Sequence, residues 1–346
     1  MVVPAEIGHA QYAAPVIDYL TRRFSRVRAI ASRDQIFPEL SQDAWLLLGE
    51  GYGTADNRIE IVRADRFEAD LCDRDGERVG EGELRVWTNR LRPFLLPADV
   101  RTHYQQLVTC KRAFRFGDAA RCGIGYVTGA NDFFHLRPSD AERLRIPSQC
   151  LIPSVRNGRQ LPENRLSATH VKKWYRDDDA HLLLRLTKGS ELPLTVKKYL
   201  ETAQATEVKA SYKCRMRTPW YVVPDVRVPN AFLTYMNGLA VTLVKNSARC
   251  TCTNSVHAVR MNIGWKFSDV ADRWDSEVRE LSAEVEGHPL GGGMLKLEPT
   301  EAVRLVIPGK EFRLQKPEKQ RLNDAIDTMR QWRHYGGSTK VVEHCR

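Results

Sequence analysis

The sequence predicts an α/β chain: the closing edge of a buried sheet, in the order strand, helix, strand, strand, followed by a mixed α+β part. Three observations predict it. Arg26 to Glu50 holds two apolar runs joined by a turn that ends in Ile36-Phe37-Pro38. Upstream, Met1-Val2-Val3-Pro4 has the form of a strand end, and Tyr12 to Arg23 has helical spacing. Beyond Gly53 the pattern changes to short strands, turns and short helices.

Each element has its own signal. In the helix, Val16, Ile17 and Leu20 share a face, and Arg22-Arg23 fill the last turn, where cations favour the dipole. Val27, Ala29 and Ala31 alternate with Arg26, Arg28 and Ile30, the period of a strand. Ala44 to Leu48 is continuously apolar, as in a strand buried on both faces. Gly49-Glu50-Gly51-Tyr52-Gly53 imitates a phosphate loop, but TADNRIEIVRAD after it reads as turn and strand. A phosphate loop needs a helix N-terminus to supply free N–H groups, so these glycines mark a hairpin exit.

Composition sets the outer limits. A chain of 346 residues that is 42% hydrophobic can bury one large core or two ordinary ones. Lys and Arg number 53 against 43 Asp and Glu, a net charge of +10, which favours polyanions. The eight cysteines form no Cys-x-x-Cys pair, and Cys250-x-Cys252 has the wrong spacing for a zinc knuckle. They read as reduced thiols, with no metal site. No signal peptide and no apolar run near roughly 18 residues is seen, so a cytoplasmic protein with no membrane contact is expected.

Residues 1–53 resemble the last third of the catalytic domain of amino-methylating DNA methyltransferases. The resemblance is to the gamma-class adenine-N6 enzymes of the TaqI type, in which a V-V-P strand is followed by a helix and a V-F-P or I-F-P turn; here these are Val2-Val3-Pro4 and Ile36-Phe37-Pro38. It makes this segment the C-terminal edge of a Rossmann-like methyltransferase domain. Complete enzymes of that family carry a glycine-rich cofactor loop and an Asn-Pro-Pro-Tyr motif, neither of which occurs in this sequence. A domain seldom starts on a buried strand end, so the chain is expected to lack the catalytic front half.

Residues 54–120 read as a connector. It holds strands at Arg58 to Val62 and Glu83 to Trp87, the charged turn Asp73-Arg74-Asp75-Gly76, and a helix Val100 to Phe116 capped by Asp99 and closed by Gly117. Residues 121–310 follow as the target-recognition domain. Cys122 to Phe134 resembles the G-x-V-T-G-A-N-D-F-F signature that opens that domain in many members of the family. Gly125 and Gly129 admit close backbone approach, and Thr128, Asn131 and Asp132 either contact DNA or cap a turn; Phe133 and Phe134 read as core.

Basic and aromatic residues then interleave. Lys172, Lys173, Lys213, Arg215, Arg217 and Trp220 lie among them, and Tyr212 to Tyr221 resembles the Y-K-x-R-x-x-x-P-W-Y segment of the family. Such cations neutralise phosphates, and Arg also reads guanine edges. Asn230 to Val244 reads as strand core with Leu239 inside; Asn254 to His257 is a polar turn or a DNA contact; Asp269 to Glu286 has the spacing of one helix. Gly291-Gly292-Gly293 with Lys296-Leu297-Glu298-Pro299 resembles the family's Y-G-G-G-x-x-K-L-E-P ending, and residues 311–346 read as a charged helix and tail.

What the resemblance implies is the DNA-recognition part of a site-specific adenine-N6 methyltransferase of a restriction-modification or defence system. The complete enzyme flips an adenine and takes its methyl group from S-adenosylmethionine, with Phe37 stacking on the flipped base. This chain alone is expected neither to bind cofactor tightly nor to methylate. Its partners are double-stranded DNA and a separate chain carrying the N-terminal half. The alternative is a non-enzymatic DNA-binding or assembly protein derived from such a methylase.

Overall fold

The computed structural model describes residues 1–34, 36, 37, 39 and 43–335. Contacts divide the chain into two compact units, one of Met1–Arg115, Met236–Ala240 and Asp275 onward, the other of Phe116–Tyr235 and Val241–Trp274. The limits expected at 53/54 and 310/311 do not coincide with this division, because segments distant in sequence share one core. Among the described residues no helix is long and apolar enough to cross a membrane.

In the first unit, β1 (Val2–Pro4), α1 (Ala14–Arg23), β2 (Phe24–Ser32) and β3 (Ala44–Tyr52) appear in the expected order. With β4 (Arg58–Ala64) and β5 (Glu77–Gly80) they form a five-stranded sheet in the order β1-β3-β2-β4-β5. β3 is antiparallel to both β1 and β2, while β2 is parallel to β4. The strand β3 is not buried on both faces as its apolar run suggested: Trp45 and Leu47 are buried, whereas Ala44, Leu46 and Leu48 are half-buried. The pseudo-phosphate glycines lie in the end of β3 and the turn after it, and no helix follows.

Two further expectations fail nearby. Glu83 to Trp87 is not a strand; Glu81–Val86 is a helix, α2. Gly80 ends the preceding strand, Glu81 and Glu83 sit in the first turn where acids favour the dipole, and Leu84 and Trp87 bury one face at i, i+3. The next helix, α3 (Ala98–Thr109), buries Val100, Tyr104 and Leu107 but stops well short of Phe116. Its Asp99 lies in the first turn, and Pro97 holds the N-cap position without a side-chain bond. Ala113–Arg115 (β6) instead pairs antiparallel with Val306–Pro308, which ends the helix.

The expected single helix Asp269 to Glu286 is two, Phe267–Ala271 and Glu277–Glu286, and they belong to different units. Ser276 is the reason: its side chain accepts from the Arg279 N–H at 3.3 Å and starts a new helix there. Val278, Leu281 and Val285 of that helix join Leu322, Ile326 and Met329 of the helix Lys316–Gln331 and Ile59, Trp87 and Phe94 in one core. Each such buried side chain contributes about 1.5–3 kcal/mol. Many of the chain's cations are consumed here. Arg28 bonds Glu60 at 2.9 Å, Arg90 bonds Glu286 at 3.0 Å, and Arg333 bonds Glu284 at 2.8 Å, all buried.

The second unit is built on a sheet of Arg165–Leu166, β9 (Leu243–Asn246), β8 (Ala231–Thr234), β10 (Val256–Met261) and β7 (Ala120–Ile124), in that spatial order. β7 is an edge strand, antiparallel to β10. A four-stranded sheet includes Leu151–Val155 and Leu182–Leu184, packed with Phe133, Phe134, Tyr199 and Val196. Leu239, expected in a core, is 55% exposed in the first unit; Val241 is buried.

Candidate nucleic-acid interface

A cleft of about 600 Å³ runs along β7 within the second unit. Its floor follows from alternation along two paired strands. Residues two apart share a strand face, and cross-strand partners share it too, so Arg121 and Gly123 of β7 lie on the same face as Arg260 and Ala258 of β10. Gly123 carries no side chain, and a Cβ there would meet no atom within 4 Å. The floor is therefore open, with arginines at one end.

The wall is the segment Tyr212 to Arg217 and the loop after it. Lys213, Met216 and Arg217 line the cleft, with Asp225, Arg227 and Pro229 beyond. Two devices hold this wall to the loop that leaves β7. Arg217 donates from Nη1 to the Thr128 carbonyl at 2.7 Å and from Nη2 to the Val127 carbonyl at 2.6 Å. Gly129, at φ +83°, brings its Cα so near the wall that an added Cβ would stand 2.6 Å from Lys213 Cβ. At the start of the loop Gly125 is pressed on the second wall, where a Cβ would lie 2.1 Å from the Cys252 carbonyl oxygen.

The lining carries Arg121, Lys213, Arg217, Arg227 and Arg260 against Asp225 alone. Asp225 lies 3.8 Å from Arg227 with both side chains exposed, a weak pair. Among the described residues no ion pair engages Arg121, Lys213 or Arg260, all exposed. Ile124 and Met216 add exposed apolar surface at 56% and 70%. The thiols beside the cleft are chemically quiet: burial pushes Cys252 and its neighbour Cys250 up to about 12, so they stay protonated. Unpaired cations, an open floor and apolar edges suit a phosphate backbone with its sugars and bases.

The residues singled out from sequence fall in several places. Lys213 and Arg217 line the cleft, but Arg217 is half-buried and occupied by the two carbonyls. Thr128 is buried, and its hydroxyl donates to the Asn131 side chain at 2.6 Å; Asn131 and Asp132 are exposed, and Asp132 pairs with Arg156 at 3.2 Å. Arg215 is exposed on the short helix Tyr212–Arg215 without lining the cleft. Trp220 packs on Phe133 and Phe134, which are in the core as expected. Lys172 and Lys173 project from the helix Ala168–Arg176, with Lys173 paired to Asp177. His257 is fully buried, so of the Asn254 to His257 turn only Asn254 and Ser255 face solvent. Lys296 belongs to the first unit and pairs with Glu298 at 2.5 Å; Phe37, also there, is 37% exposed beside Pro38, which lies outside the described residues. Arg121, Arg227 and Arg260 carry no signal in the local sequence, since Arg121 and Arg260 meet only through the pairing of β7 with β10.

Comparison with known proteins settles the lineage. The family described as "Type II methyltransferase M.Eco57I, C-terminal domain" matches residues 87–339, most of the chain. The chain belongs to that family. It is thus the C-terminal part of a restriction-modification DNA methylase. The Type II methyltransferase M.AccI of Acinetobacter calcoaceticus is 19% identical over 269 residues, covering 75% of this chain and 49% of that protein. The chain spans about half the length of the curated relative it matches. Among solved structures, the type IIG restriction endonuclease BpuSI aligns over 96% of this chain and 47% of its own, at 11% identity and a TM-score of 0.42. The M.Eco57I C-terminal family match extends across both compact units.

Proposed function

We propose that this chain is the DNA-recognition part of a site-specific, S-adenosylmethionine-dependent DNA adenine-N6 methyltransferase, and that it binds double-stranded DNA through the cleft along β7. The observation that carries this reading is the pair Arg121 and Arg260, set directly opposite each other on a face kept open by Gly123. Like charges so placed cost stability, and a phosphate or a guanine edge between them offsets that cost. Lys213 and Arg227 extend the positive lining; Ile124 and Met216 supply apolar contact of the kind that meets sugars and thymine methyls.

In this reading Arg217 positions rather than contacts. It fixes the loop Val127–Thr128 and so the distance between the wall and β7. Thr128, Asn131 and Asp132 set the shape of that loop, and the exposed Lys172 and Arg215 add non-specific attraction. The target adenine is reached only outside the base stack, and Phe37 of the first unit stacks on it. S-adenosylmethionine, when bound by the complete enzyme, supplies the methyl group. The order β1, α1, β2, β3 in the first unit supports its role as the edge of a methyltransferase domain, completed by an N-terminal half that carries the cofactor and Asn-Pro-Pro-Tyr residues.

The test is transfer of tritium from labelled S-adenosylmethionine into adenine of mixed-sequence DNA, by this chain alone and with a separately expressed N-terminal half. The reading expects label only with the second component. Label from this chain alone contradicts the division of labour. DNA binding without label in either case favours the non-enzymatic DNA-binding protein.

A further inference from the structure

Three ligating side chains converge in the first unit, well apart in sequence. His9 follows β1, His288 opens the strand His288–Leu290, and Glu301 lies on the short helix Pro299–Ala302. Their ligand atoms all lie within 4.8 Å of one another. His9 Nε2 is 2.9 Å from Glu301 Oε1, and His288 Nδ1 is 3.1 Å from the same oxygen and 3.3 Å from Oε2. The two imidazoles stand 5.1 Å apart, tilted by 32°, and all three residues are at least nine-tenths buried.

We propose that His9 Nε2, His288 Nδ1 and a Glu301 carboxylate oxygen bind one divalent transition-metal ion of the zinc class. Two imidazoles and one carboxylate are a donor set suited to Zn²⁺ and its neighbours rather than to Mg²⁺ or Ca²⁺. Ligands about 2.1 Å from a shared ion, at angles from right to tetrahedral, stand roughly 3.0–3.4 Å apart. The spacings of both imidazoles from the carboxylate are within a few tenths of that range.

Coordination needs neutral imidazoles and an ionised carboxylate. Burial lowers His9 to about 4, leaving a neutral imidazole. Burial alone would raise Glu301, but hydrogen bonds from His288 and His9 outweigh it and hold the carboxyl at about 2. Arg90 and Arg92 act on His9, and their partners are shared, Glu286 with Arg115 and Arg304 and Glu284 with Arg330 and Arg333, so the anionic charge that an ion meets is that of Glu301 itself. Outside the ligands, the Glu298 N–H donates to Glu301 Oε2 at 2.7 Å and aims Oε1 at both rings. Among the described residues His9 Nδ1, which is buried, has no hydrogen-bond partner. Without an ion, His9 and His288 donate their facing N–H groups to Glu301; binding moves each proton to the ring's other nitrogen. The ion fastens the segment after β1 to the strand His288–Leu290 and the helix Pro299–Ala302, and three protein ligands leave one position for water.

The test uses the full chain stripped with chelator and titrated with Co²⁺, then Zn²⁺. The expected result is one Co²⁺ per chain with ligand-field absorption, displaced by Zn²⁺, a higher melting temperature with Zn²⁺, and X-ray absorption showing nitrogen and oxygen but no sulfur around zinc. His9→Gln and Glu301→Gln should each weaken binding on the order of 100-fold. A folded wild-type chain that retains neither ion overturns the proposal. Unchanged binding in both variants, or sulfur in the coordination shell, does so too. Should Glu301→Gln fail to fold, the wild-type absorption and His9→Gln decide.

Discussion

Arg121 and Arg260 face each other across the β7–β10 ladder, with no carboxylate paired to either among the described residues. Structural selection alone removes such a pair, because like charges directly opposite destabilise a sheet. Replacing Arg121 by Thr, a good strand former, should therefore raise unfolding stability by about 0.2–1 kcal/mol while it weakens DNA binding. Denaturant unfolding and a binding isotherm on the same variant check the two opposite signs. A variant that loses stability and keeps its affinity removes Arg121 from the interface.

Arg217 should behave differently from Arg121. Its two bonds to the Val127 and Thr128 carbonyls are charge-assisted, so Arg217→Ala is expected to cost about 1.5–3 kcal/mol of stability. Arg217→Lys cannot make both bonds in the same fork geometry and should recover only part. Urea unfolding of the three proteins measures this, and a loss of DNA affinity without loss of stability would mark Arg217 as a direct contact.

Gly125 tests the close approach of the loop to its wall. Gly125→Ala places a methyl against the Cys252 and Thr253 carbonyl oxygens, at 2.1 and 2.3 Å, and backbone must shift. The expected cost is about 2–3 kcal/mol. Gly123→Ala, whose Cβ meets nothing, should leave stability nearly unchanged and interfere with DNA instead. Thermal unfolding and binding separate the two.

The second unit should weaken in mild acid. Burial lowers His135 to about 4, beneath its ordinary 6.5, against smaller opposing effects from Asn131 and Asp132. The ring is buried between the Tyr126 hydroxyl at 2.7 Å and the Asn131 carbonyl at 2.9 Å, with Arg156 adding positive charge nearby. An unfolded chain takes up the proton first, so the stability that neutral His135 provides is complete above pH 6.5 and is lost as pH falls through 4. His135→Gln should show a flatter stability profile over that window. An identical profile would assign the acid loss to other groups.

The N-terminal order β1, α1, β2, β3 was legible because period 2 and period 3.6 are local properties of the chain. Glu83 to Trp87 was misread because its acids at a helix start look like the alternating polar residues of a strand. The helix break at Ser276 was hidden by apolar residues that keep helical spacing on both sides of it. The candidate interface was only half legible. Lys213 stood out by charge, but Arg121 and Arg260 meet through strand pairing between distant segments, which no local pattern encodes. Charge also cannot reveal partners: Arg217 is held by carbonyls, Lys173 by Asp177, and Lys296 by Glu298.

The measurement closest to the central claim is the salt dependence of duplex binding, by fluorescence anisotropy, for the wild-type chain and the Arg121→Ala/Arg260→Ala double variant. The account predicts that log affinity falls linearly with log salt for the wild type, and that the double variant binds more weakly with a slope reduced by about 2, one per lost phosphate contact. Equal affinity and equal slope in the two proteins would contradict it, and would place DNA somewhere other than the cleft along β7.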